Sequence, residues 1–149
     1  MQVIIYSNSS GNVSVCVPTG ELSIEAVLAK DCPSGAIIVD DATLPQADND
    51  FFDAWELNTA INTNSDSFNL NELDDSIVRV NLDKAKAMTK KRLRAEREPL
   101  LQAQDVLFQR ALESNGDTSA IVAEKQRLRD VTNLVDAETT LEGLRAIKV

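Results

Sequence analysis

The stretch Ile77-Val78-Arg79-Val80-Asn81-Leu82-Asp83-Lys84-Ala85-Lys86-Ala87-Met88 divides the chain in two. Its first four residues set β-branched side chains around one arginine, the pattern of a strand. From Leu82 onward the apolar positions change to helical spacing: Leu82, Ala85 and Met88, then Leu93. Asn81, between the two patterns, is a residue type favoured at helix N-caps. Asp83 in the first turn suits the positive end of the helix dipole. The expected class is therefore α+β. A small β-rich module with one short helix occupies 1–80, and a helical-hairpin module occupies 81–149.

Upstream, Val3-Ile4-Ile5-Tyr6 and the strictly alternating Val13-Ser14-Val15-Cys16-Val17 flank Asn8-Ser9-Ser10-Gly11. Two such runs around turn residues predict a hairpin. Leu22 to Lys30 has helical spacing with Ser23 or Thr19 as cap, and Ala36-Ile37-Ile38-Val39 reads as a buried strand. Phe51, Phe52 and Trp55 are three of the chain's six aromatic residues, so this segment should anchor the N-terminal core. Asn58 to Asp75 reads as loop, with a strand fragment at Phe68–Leu70.

Downstream, Leu82, Ala85, Met88 and Leu93 give a weak apolar stripe, and Pro99 should kink or restart the helix. Leu100/Leu101, Gln104, Leu107/Phe108 and Ala111/Leu112 give a strong stripe. Ser114-Asn115-Gly116-Asp117 stops that helix, and Asp117 or Thr118 starts the next. Ile121, Leu128, Val131 and Val135 form the matching stripe of the second helix, to be paired antiparallel with the first. Thr139-Thr140-Leu141-Glu142 resembles a capping box before a last short helix.

Charge follows the same division. Residues 1–80 carry 13 acidic and 2 basic side chains, residues 81–149 carry 11 and 13, and the whole chain is at −9. The acidic module is thus at −11 and the helical one at +2. Such polarity suggests contact between modules or between copies. Lys84, Lys86, Lys90, Lys91, Arg92, Arg94 and Arg97 form the one basic stretch. No aromatic lies between Phe68 and Phe108 to stack on bases, and the acidic module would repel phosphate. A nucleic-acid or host-factor binder is a remote alternative.

Little points to catalysis. The chain has no His, which removes the commonest general base and a common zinc ligand. Cys16 and Cys32 are too few for a zinc site and read as reduced, half-buried thiols. Asn62, Asn64 and Asp66 alternate like the start of a calcium loop, but Ser67 stands at the glycine position and Glu72 falls one residue short. Asp40/Asp41 and Asp48/Asp50/Asp53 suit turns and caps. No enzyme, metal or cofactor is expected. No apolar run approaches the roughly 20 residues of a membrane span, and Met1–Tyr6 lacks the marks of a signal peptide.

Two stretches carry a family resemblance. The first is Val39-Asp40-Asp41-Ala42-Thr43-Leu44-Pro45, followed by Asp50-Phe51-Phe52-Asp53-Ala54-Trp55-Glu56. The second runs Val80-Asn81-Leu82-Asp83-Lys84-Ala85-Lys86, then Arg92-Leu93-Arg94-Ala95-Glu96-Arg97-Glu98-Pro99-Leu100-Leu101 and on through Asp117–Val131. Together they resemble small proteins encoded in the tail-gene regions of tailed bacteriophages, described as tail or tail-fibre assembly chaperones or as virion-associated proteins. Residues 58–76 match poorly, and Phe52-Asp53 stand where relatives often have Arg-Asn.

The resemblance implies an accessory protein that acts by protein–protein contact in tail or fibre assembly. Its partners would be other phage tail or tail-fibre proteins. The alternative is a structural component retained in the mature tail as an adaptor or fibre-attachment protein, with symmetric copies or a homo-oligomer. The place of action would be the host cytoplasm during assembly, or the virion tail. Candidate contact residues are Trp55 in the aromatic segment, Lys90, Lys91 and Arg94 on the basic face, and Leu101 and Phe108 on the strong stripe. Trp55, Phe51 and Phe52 read first as core, and the two stripes first as an intramolecular hairpin.

Overall fold

Asn8 closes the first hairpin. Its side-chain oxygen accepts the backbone N–H groups of Ser10 and Asn12 at 2.9 and 3.1 Å, and Gly11 takes the positive φ of 73° that the turn needs. The computed structural model describes residues 1–58 and 76–149. The loop expected up to Asp75, its strand fragment at Phe68–Leu70 and the calcium-like Asn62, Asn64, Asp66, Ser67 and Glu72 lie outside the described residues. The class is α+β, in two compact units, Met1–Asn81 and Leu82–Val149.

In the first unit β1 (Gln2–Ser7) pairs antiparallel with β2 (Val13–Cys16). Helix α1 (Ile24–Asp31) is capped by Ser23, whose hydroxyl accepts from the Ala26 N–H at 3.3 Å. The chain then returns as β3 (Ile37–Asp40) along the other edge of β1, giving the order β2-β1-β3 with every pair antiparallel. Asp40 caps a 3-10 turn, Asp41–Thr43, by accepting the Ala42 N–H at 3.0 Å. That bond, helped by Asp41 and the Met1 ammonium, holds the Asp40 carboxyl below the usual carboxylate range. A longer 3-10 segment, Gln46–Ala54, kinks at Asp48 and Phe51. It delivers β4 (Trp55–Leu57), which pairs with β5 (Val78–Val80) in the register Trp55 to Val80.

Strand alternation sorts the side chains of β1. Val3 and Ile5 join Val13, Val39, Trp55 and Val78 in one buried cluster. Ile4, on the opposite face, is equally buried. Cys16 pairs opposite Ile4, and Cys16 and Cys32 are half-buried free thiols. Burial pushes the Cys32 thiol up, and the neighbouring Cys16 thiol adds to the shift.

The second unit is built on α2 (Leu82–Glu113), 32 residues long. Helix α3 (Ser119–Asp130) runs back along it, followed by a 3-10 turn (Val131–Asn133), α4 (Leu134–Ala137) and α5 (Leu141–Ala146). Lys125 lies beside Asp105 and Phe108, and Arg97 lies beside Leu128 and Arg129, so α2 and α3 are antiparallel. The second stripe is not one helix: the i to i+3 bond from the Leu134 N–H to the Val131 carbonyl tightens it at Val131–Asn133. Asp117 starts α3. Its carboxylate accepts the Ser119 hydroxyl at 2.6 Å and the Ser119 N–H at 2.9 Å, which lowers its pKa. Thr140, not Thr139, caps α5, accepting the Gly143 N–H at 3.0 Å, so Glu142 is not the reciprocal acid of a capping box.

Of the two outcomes expected at Pro99, a kink or a restart, the restart is corrected: α2 runs through it. Ala95 and Pro99 are both exposed, so the Ala95 carbonyl that loses its N–H partner can bond to water. The fully buried residues of α2 lie in its proximal half, on Ala85 and Leu93 of the weak stripe and on Thr89, which belongs to neither stripe. Ala85, Thr89 and Leu93, at i, i+4 and i+8, are buried with Leu128, Val131, Val135, Leu144 and Ile147. Small Ala85 and Thr89 let the short helices approach closely, and the Thr89 hydroxyl is satisfied by the Ala85 carbonyl at 2.9 Å.

The basic stretch flanks this seam and binds the ends of the short helices. Arg97 donates to the carbonyls of Leu128 and Arg129 at 3.3 and 2.7 Å, at the C-terminus of α3. Lys86 donates to the Asp136 carbonyl at 3.1 Å, at the C-terminus of α4. Arg92 donates to the carbonyls of Leu144 and Ile147 at 3.4 and 3.0 Å, at the C-terminus of α5. Each cation satisfies carbonyls that the helix leaves unbonded and opposes the negative end of its dipole.

Arg97→Ala and Arg92→Ala should each lower the stability of the helical unit by about 1–2 kcal/mol in denaturant titrations. Lys91→Ala, on an exposed side chain, should stay within about 0.5 kcal/mol of the parent. Pro99→Ala should stabilise by up to about 3 kcal/mol, because it restores a helical N–H and removes the ring clash.

Candidate protein-contact surfaces

Trp55 stands where the 3-10 segment becomes β4. Its ring is 3% exposed, 4.9 Å from the Phe52 ring at a tilt of 52°. Its indole N–H donates to the Asp48 carbonyl at 3.2 Å, and this bond fixes the ring edge-on to the kink at Asp48. What reaches the surface is the cleft beside it. Val3, Val15, Val17, Leu44, Phe52 and Trp55 line a cavity of about 350 Å³ with Asp41 among its polar members. Val17 is 55% exposed at its mouth. A second cleft of about 480 Å³, lined by Tyr6, Ser7, Glu56 and Arg79 among others, is more polar. There Arg79 and Glu56 are paired at 2.8 Å.

The three basic candidates separate. The Lys90 ammonium is paired with the Asp136 carboxylate at 2.6 Å. It therefore works within the helical unit. Lys91 and Arg94 lie on the outer side of α2, exposed, and form no hydrogen bond or ion pair among the described residues. The basic face expected to meet an acidic neighbour is thus smaller than the sequence implies, since Lys86, Lys90, Arg92 and Arg97 are held by carbonyls or carboxylates of their own unit.

Leu101 and Phe108 are half-buried on the face of α2 that also carries Arg97 and Gln104, the face α3 covers. Lys125 of α3 lies 5.2 Å from the centre of the Phe108 ring and 2.5 Å from the Asp105 carboxylate. Both residues are hairpin contacts first. The surplus apolar surface lies one row over. Leu100, Val106 and Leu107 are 45–46% exposed on α2, with Leu112 and Val122 more so. Pro99, Leu100, Ala103, Val106 and Leu107 fall at i, i+1, i+4, i+7 and i+8, one continuous helical stripe. The signal for it was in the sequence. Distal α2 carries apolar residues around more of its circumference than a single neighbouring helix can cover.

Among the described residues, no group of three or more His, Cys, Asp or Glu side chains is placed to hold a metal ion, and no helix is long and apolar enough to cross a membrane. Comparison of the chain with protein-family models, with curated proteins and with solved structures finds no match.

Trp55→Ala should cost the β-rich unit about 3–5 kcal/mol, the range for deleting a buried large aromatic. The expected readout is loss of its unfolding transition in circular-dichroism melts while helical signal persists. An unchanged melt would place Trp55 outside the core.

Proposed function

We propose that the chain is an accessory protein of a bacteriophage tail or tail fibre, acting by protein–protein contact during assembly. The motif resemblance over 39–56 and 80–131 supports the phage-tail part of this reading. The observation that carries the contact part is the row of half-exposed apolar side chains on distal α2, Leu100, Val106 and Leu107. Contiguous apolar surface of this kind marks an interaction site rather than scattered exposure. The apolar cleft beside Trp55 supplies a second, smaller surface in the other unit.

The charge division, −11 against +2, favours a second version in which the protein stays in the tail as repeated copies that attract one another. Internal engagement of Lys86, Lys90, Arg92 and Arg97 weighs against the nucleic-acid alternative. It leaves little of the basic stretch to follow a phosphate backbone.

Deleting the gene from the phage that carries it should leave capsids with incomplete tails or fibres under the electron microscope. Fully tailed, infectious particles would contradict the proposal. Mass spectrometry of purified virions then separates the versions. Absence from the particle fits a protein that leaves after assembly, and stoichiometric presence fits a retained component.

A further inference from the structure

The proximal and distal halves of α2 present the same face to different surroundings. In the proximal half, Ala85, Thr89 and Leu93 are covered by the segment that carries α4 and α5. Two turns at a time, the same row continues as Leu100 and Leu107. There the cover ends, and both leucines are 45% exposed. Helix α3 packs on the neighbouring row, where Arg97 and Phe108 meet Leu128, Arg129 and Lys125.

We infer that this strip pairs with the same strip of a second copy, the two α2 helices running antiparallel and crossing at Ala103. The spacing of residues is self-complementary about that point. Glu96 and Arg110 each lie seven residues from Ala103, two turns or about 10 Å along the axis, and so fall on the same face. Leu100 and Leu107 lie between them, nearly symmetric about the same centre.

Antiparallel pairing brings Leu100 of each copy to Leu107 of the other, and Glu96 of each to Arg110 of the other. Parallel pairing would set Glu96 against Glu96 and Arg110 against Arg110, so charge selects the direction. Ala103 at the crossing lets the backbones approach closely. A two-fold axis uses one patch twice, which is what a patch with opposite charges at its two ends requires.

Both charged groups are available. Glu96 is exposed, and its pairing among the described residues is an i,i+4 contact with Arg92 at 3.1 Å, a surface bond of little strength. The Arg110 side chain is exposed and has no bond among the described residues. The inference rests on α2 alone and is independent of the phage-tail reading.

The test is sedimentation equilibrium of the full chain over a wide concentration range. The expected mass is twice the 16.3 kDa of one chain. Glu96→Arg and Arg110→Glu should each weaken dimerisation about tenfold or more, since each reversal creates two like-charge contacts per dimer. The double variant should restore it. Leu107→Gln, at an exposed position where folding is retained, should weaken it without charge change. A monomer at every concentration would overturn the inference. So would a dimer indifferent to the single reversals, or a double variant no better than either single.

Discussion

The cations of α2 that bind the carbonyl ends of α3, α4 and α5 are what the helical unit depends on. Those three helices are 12, 4 and 6 residues long, at or below the length at which an isolated helix is marginal in water. None has enough intrahelical bonds to stand alone, and each ends with carbonyls that nothing within it can satisfy. Arg97, Lys86 and Arg92 meet those ends in turn, from positions on either side of the buried Ala85–Thr89–Leu93 seam. One long helix thus supplies both the apolar row against which the short ones pack and the donors that terminate them. The arrangement also explains why a stretch with seven basic residues presents so little free positive surface, in a unit whose 11 acidic and 13 basic side chains nearly balance.

The β-rich unit solves a different problem. A three-stranded sheet with strands of 4–6 residues covers little area, and small sheets need a second layer to bury one face. Here that layer is the β4–β5 ribbon together with the aromatic segment before it. Trp55 belongs to both the ribbon and the core, and its N–H bond to Asp48 ties the ribbon to the kinked 3-10 turn. Among its described acidic side chains, Asp40 caps the 3-10 turn by accepting the Ala42 N–H.

Much of this was legible before any coordinates. The hairpin at Asn8, the capped α1, β3, the strand-to-helix junction at Asn81 and the antiparallel α2–α3 pair all follow from period and turn chemistry. What was not legible has physical causes. The strength of an apolar stripe measures how much surface a helix could bury, not how much its neighbours cover. Leu100 and Leu107 belonged to the strong stripe and are half-exposed, whereas Ala85 of the weak stripe and Thr89, which neither stripe included, are buried because small residues permit close packing. Pro99 signalled a kink or a restart, but on an exposed helical face the carbonyl it leaves unpartnered can bond to water, so the helix continues through it at a cost in stability rather than restarting. The role of Lys86, Arg92 and Arg97 could not be read locally, because their acceptors lie roughly 30 to 55 residues away in sequence. Among the candidate contacts, Lys91 and Arg94 stand exposed. Trp55, Lys90, Leu101 and Phe108 are engaged within their own units.

The dependence of the short helices on proximal α2 is tested most directly by native-state amide hydrogen exchange. The account predicts that the amides of Ala85–Arg97 and those of α3 to α5 share the slowest exchange and open together, while amides beyond Leu107 exchange faster. Slowest exchange centred on Leu100–Leu112, with Ala85–Leu93 opening early, would contradict it.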